Sequence, residues 1–167
     1  MSGDSREDIA ARYENYGIYV MLSSRGALPG FHWGIFIPTA SPKGHVWHAT
    51  NREGGWKLEH KTSPNVPFSM SLVLAYKIGS TSPSSWQTCQ DILEGVDGSG
   101  RPSPYTGEES SCDVWVKDAI RSLHDNGIIV LSESVDSLEE KMINLASPHK
   151  DMVEGGESSA RVENSLT

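Results

Sequence analysis

Apolar positions along the chain fall into two regimes. From residue 17 to residue 79 they come in short dense runs: "GIYVML" (17–22), "FHWGIFI" (31–37), "HVWHAT" (45–50), "WKLEHK" (56–61) and "FSMSLVLAYKIG" (68–79). These runs are rich in β-branched and aromatic residues and are divided by turn clusters such as "SSRGALPG", "PTASPKG", "NREGG" and "TSPNVP". They predict a meander of about five strands, with the long apolar run at 68–79 as a central strand.

Beyond Ser80 the spacing changes to threes and fours. "SPSSWQTCQDILEGV" places Trp86, Cys89, Ile92 and Leu93 at helical intervals behind a serine-rich cap region. A Gly/Ser/Pro-rich loop, "DGSGRPSPYTGEES", separates it from the best-marked helix, "SSCDVWVKDAIRSLHDNG". There Ser110 or Ser111 caps the start, Asp113 favours the first turn and Gly127 closes the end. "IIVL" reads as a last strand or an extended link, and "SVDSLEEKMINLA" sets Val135, Leu138, Met142 and Leu145 on one helical face. The expected class is α+β: an antiparallel sheet of about five strands with two to three helices packed on it. A polar arm at 1–14 and a disordered tail at 148–167 flank a single domain at 15–147, because both ends lack apolar periodicity.

Composition narrows the partners. A chain of 167 residues supports one core. The hydrophobic fraction of 37% is low, yet five Trp, five Tyr and three Phe supply bulk. A net charge of −8 without a basic stripe argues against nucleic acid and anionic membranes. The acidic start and the lack of any apolar run near 18 residues predict a cytoplasmic chain with no membrane partner. Cys89 and Cys112 are then expected as two thiols.

The thiols differ. Cys89 shares a stripe with Trp86 and Leu93 and reads as a small buried hydrophobe. Cys112 falls in the first turn of the strongest helix, where unpaired amides and the helix dipole favour a thiolate. It also heads the stripe Trp115, Val116, Ala119, Ile120 and Leu123, so it is either the first core residue or a poised nucleophile facing the sheet.

A thiolate nucleophile needs an imidazole. His124 lies at the far end of the same helix, and His60 and His149 read as surface residues. His32, His45 and His48 share one predicted hairpin. With its turn near 38–43, residue 36 or 37 faces 44 or 45, so His32 lies opposite or beside His48 while His45 sits at the tip. No metal is expected, since His45 and His48 point to opposite faces and no ligand pair has a familiar spacing. No cofactor is expected either.

Together "HWGIFI" with His32, "HVWHA" with His48 and "SCDVWV" with Cys112 resemble the lecithin:retinol acyltransferase branch of the papain-like superfamily, whose core is circularly permuted so that the histidine strand precedes the cysteine helix. The layout, with "GGW" after the second strand and "CDVWVKDAI" in the helix, is also similar to a group of uncharacterised fungal proteins. The resemblance implies Cys112 as nucleophile, His32 as general base and His48 as the residue orienting it. Ser111 stands where that branch has Asn, and Asp113 and Val114 where it has Glu and His. A hydrophobic C-terminal anchor is lacking, which argues against membrane lipids as substrates.

The leading expectation is a cysteine-dependent hydrolase or transferase acting on a small-molecule ester, thioester or amide. The Cys112 and Asp113 amides would form the oxyanion site, Trp33, Trp47, Trp56 and Trp115 would line the substrate pocket, and the loop before Cys112 would serve as a lid. The alternative is a non-hydrolytic small-molecule binder, or an isomerase or cyclase using His32 and His48 as acid and base. The oligomeric state stays open, a homo-oligomer included.

Overall fold

The run "GIYVML" is apolar at successive positions, not alternate ones, because both faces of its strand are covered. The computed structural model describes residues 5–51 and 54–164. In it β1 (Gly17–Ser24) is buried through its first six residues. Strand β2 (Phe31–Ala40) pairs antiparallel with β1, β3 (Lys43–Thr50) with β2, and β4 (Lys57–Ser63) with β3. Strand β5 (Leu72–Ser80) returns to the free edge of β1, and β6 (Arg161–Asn164) adds to β5 in parallel. The order is β4-β3-β2-β1-β5-β6.

The fold is α+β, but among the described residues the sheet has six strands and is mixed, where about five antiparallel strands were expected. The apolar run at 68–79 lies next to an edge; β1 and β2 hold the centre. Its continuous hydrophobicity reflects cover on both faces, which a penultimate strand can have as well as a central one. The β1–β4 meander was legible from the turns, whereas the long return to β1 carries no local signal. "IIVL" forms no strand.

Helices α2 (Trp86–Glu94), α3 (Cys112–Asp125) and α4 (Val135–Ala146) cover one face. Trp115, Val116, Ala119, Ile120 and Leu123 from α3 meet Ile18, Val20, Trp33, Ile35 and Trp47 from the sheet. A second apolar cluster on the opposite face gathers Tyr13, Tyr19, Met21, Phe36, Val46 and Leu72 under Val66 of a short 3-10 turn, Val66–Phe68. Tyr13 follows α1 (Arg6–Ala11), so the end of the expected polar arm is core.

Residues 148–164 are not a disordered tail either. They form α5 (Lys150–Glu154) and β6, bury Val153 and Ala160, and fix the connection through a hydrogen bond from His149 Nε2 to the Ser159 carbonyl (2.8 Å). Sparse apolar residues suffice because β6 gains its order from backbone pairing with β5. Residues 1–4 and 165–167 of the expected ends, and Arg52 and Glu53 of the "NREGG" turn, lie outside the described residues.

Candidate functional site

Ser111 is extended (φ −160°, ψ 170°), and its hydroxyl accepts from the Val114 amide (3.0 Å), as an N-cap does. This starts α3 at Cys112. Among the described residues the Cys112 and Asp113 amides have no hydrogen-bond partner, so two donors are left at the helix start. Cys112 is half-buried and touches the helix-side core.

The Asp113 side chain turns away toward α4. Its carboxyl is raised to about 8 by burial first, then by hydrogen bonding to Glu139 and repulsion from it. Cys89 is fully buried in the helix-side core, as the stripe predicted, and burial pushes its thiol up to about 11.

Strand register builds the second half of the site. His48 is cross-strand from Glu59 on β4, and its Nε2 lies 2.6 Å from Glu59 Oε1. Its Nδ1 lies 2.8 Å from His32 Nε2, with the rings at 89°. The β2–β3 register pairs Ile37 with His45 and Ile35 with Trp47, which continues to Gly34 opposite His48 and makes His32 the diagonal neighbour. Gly34 lets the strands and the imidazole approach closely: a Cβ would stand 3.3 Å from His48 Cβ and 3.2 Å from both Met21 Cε and the Trp47 carbonyl oxygen, contacts that would make these neighbours shift.

Donor and acceptor matching orders this chain of groups. A carboxylate only accepts, so His48 Nε2 carries a proton toward Glu59. In neutral His48 Nδ1 then accepts from His32 Nε2–H, which leaves the His32 lone pair at Nδ1. His48 is only 8% exposed, so a missing partner would leave a buried polar atom.

His32 and His48 share the sheet face of Met21, Gly34 and Val46, whereas Cys112 sits on the helical side. The two sides meet where β2 begins and β3 ends. A cleft of about 510 Å³ there is lined by Arg25, His32, His48, Thr50, Trp56 and Cys112, among others. Among the described residues no hydrogen bond joins the Cys112 sulfur to an imidazole.

Of the four tryptophans expected to line a pocket, Trp56 alone lines this cleft. Trp33, Trp47 and Trp115 are core, at 4%, 0% and 2% exposure. Inward pointing at strand and helix centres serves packing here, and Trp115 Nε1 donates to the Val96 carbonyl (3.1 Å). The loop before Cys112 is anchored: Ser103, buried, donates to Asp118 (2.8 Å), and Gly100 (φ +97°) lies against the Trp56 ring.

His60 is not simply a solvated surface residue. It stacks on Trp47 (4.4 Å, 8°) and pairs with His45 through Nε2 and Nδ1 (2.9 Å) on the helix side. His45 is therefore held beside Trp86 instead of standing free at the hairpin tip, and burial, followed by His60, lowers its pKa. Sequence reasoning missed Glu59. The "NREGG" turn, centred near residues 53 and 54, would have placed 48 opposite 59 had the register been extended one strand further.

Residues 18–130 match a family model described as a family of unknown function (DUF6540). The chain belongs to this family. The DUF6540 region contains His32, His48, Glu59 and Cys112 and leaves α1, α4, α5 and β6 outside it. No curated protein and no solved structure matches the chain. Among the described residues no helix is long and apolar enough to cross a membrane.

Proposed function

We propose that this DUF6540 chain is a cysteine-dependent acyl-transfer enzyme for a small-molecule ester, thioester or amide, on a permuted papain-like core. The observation that carries the reading is the His32–His48–Glu59 chain opening onto a cleft whose other wall holds Cys112 at a helix N-terminus. Cys112 sulfur attacks the carbonyl carbon and its proton passes to His32 Nδ1. The Cys112 and Asp113 amides hold the oxyanion, and His32 returns the proton to the leaving group. Water or an acceptor alcohol, amine or thiol then attacks the thioester, losing its proton to His32; the acyl–sulfur bond breaks, the product leaves and His32 returns the proton to the Cys112 sulfur. His48 and Glu59 orient the base, and Trp56 supplies an apolar wall.

Iodoacetamide labelling tests this directly, because Cys89 is fully buried and its thiol stays protonated at neutral pH. Cys112 should label faster in the folded chain at pH 7 than in the urea-unfolded chain, and His32→Ala should remove the advantage. Labelling no faster than the unfolded thiol would sink the nucleophile.

A second reading is favoured by the position of the imidazoles on the sheet face away from α3: His32 and His48 act as acid and base on a bound ligand, as in an isomerase or cyclase, with Cys112 a wall residue. Once a substrate is in hand, loss of turnover in His32→Ala but not in Cys112→Ala selects this reading.

A further inference from the structure

The imidazole pair has a second exposure. On the face away from α3 it forms part of the floor of a separate groove of about 250 Å³, which Cys112 does not line. The groove runs across the sheet from Lys61 and Ser63 on β4, over Val46 and Gly34, to Met21 on β1 and Leu72 at the start of β5. The depression lies over Gly34, where any side chain would meet Met21 and His48.

Three features define its chemistry. One end and one rim are polar, with Lys61, Ser63, Asn65 and Ser69, while the other end is mainly apolar, with Met21, Val66 and Leu72 beside the Ser23 hydroxyl. Among the described residues Lys61 is the only lysine or arginine lining it, no carboxylate lines it, and no acidic side chain pairs with Lys61. Glu59, two residues along β4, is engaged by His48 Nε2 and does not line the groove, so Lys61 is the charge that faces a ligand there.

From these features we propose that the groove is a binding site for a small amphipathic monocarboxylate, its carboxylate on Lys61 and its alkyl chain over Gly34 toward Met21 and Leu72. The volume equals that of about eight waters, and a methylene takes up a similar space, so an alkyl chain of about six to eight carbons fits. The groove spans four strand spacings of about 4.8 Å, which the lysine and leucine side chains shorten from both ends, so the ligand lies extended. The bound ligand covers His32 and His48 from the side opposite Cys112. This site does not depend on the thiol chemistry proposed above, and it stands if Cys112 proves inert.

The test is a backbone-amide NMR titration of the full chain with hexanoate, using hexylamine and hexanol as charge-reversed and neutral controls of equal length. Hexanoate is expected to give saturable shifts centred on Gly34, Val46, Lys61 and Ser69, with dissociation constants in the millimolar range. Lys61→Met should weaken it about three- to fivefold, the effect of an ion pair at a groove rim, while Lys61→Arg keeps it. Lys61 is exposed, so neither variant threatens the fold. Cys112→Ala should leave the titration unchanged, which separates this site from the acyl-transfer reading. Absence of saturation, equal binding of hexylamine, or shifts centred on Trp56 and Cys112 would each overturn the proposal.

Discussion

Removing the Glu59 carboxylate should cost stability through His48. His48 is 8% exposed, donates from Nε2 to Glu59 at 2.6 Å and is engaged at Nδ1 by His32, so Glu59→Ala leaves a nearly buried N–H without its acceptor. An orphaned buried donor costs about 1–3 kcal/mol. The Glu59 side chain is 28% exposed, so water partly replaces the lost oxygen and the expected loss is in the lower part of that range, about 1–2 kcal/mol. Glu59→Gln keeps an acceptor oxygen and loses only the charge, so its cost should stay below about 1 kcal/mol. Urea unfolding reads both: with a slope of about 2 kcal/mol/M, Glu59→Ala should lower the midpoint by about 0.5–1 M and Glu59→Gln by less than half of that. Imidazole nitrogen NMR of the same samples should show the His48 tautomer retained in Glu59→Gln and perturbed in Glu59→Ala. Equal midpoints for wild type and Glu59→Ala, or a Gln variant as unstable as the Ala variant, would refute the idea that this contact orders the imidazole chain.

Three other expectations concern stability. Asp113 has a folded-state pKa near 8, above its unfolded value near 4, so the folded chain binds an extra proton between those values and stability falls as pH rises through that window. Asp113→Asn should flatten the pH dependence of the urea midpoint between pH 5 and 8 and raise stability at pH 8; an unchanged slope would contradict the assignment. Gly44→Ala should destabilise by about 1–3 kcal/mol, because its Cβ would sit 2.6 Å from the Ile37 carbonyl oxygen and 2.7 Å from Pro38 Cα; a neutral thermal midpoint would show that the hairpin gives way freely. Truncation after residue 147 removes Val153, Ala160 and the β6 pairing, leaving the β5 edge open. The truncated chain should unfold at lower urea and self-associate more readily by light scattering, and equal behaviour would mean that the tail contributes little.

The sequence by itself determined the elements whose cause is local. Ser111 and Gly127 bracket α3, the serine hydroxyl capping Val114 and the glycine adopting φ +76°, as their chemistry demands. Turn clusters separated the first four strands, and one hairpin was enough to bring His32 beside His48. Tertiary structure decided what depends on distant partners. The return of β5 to β1 and the parallel docking of β6 are long-range pairings without a periodic signature. The burial of Trp33, Trp47 and Trp115 follows from the packing of the helices on one sheet face, which no single run reveals. Glu59 became part of the site because β4 closes against β3. Whether Cys112 and the imidazoles share a side of the sheet was likewise beyond local pattern: strand alternation sends the imidazoles to one face and the packing of α3 sets the thiol on the other, so that they meet only at the strand ends.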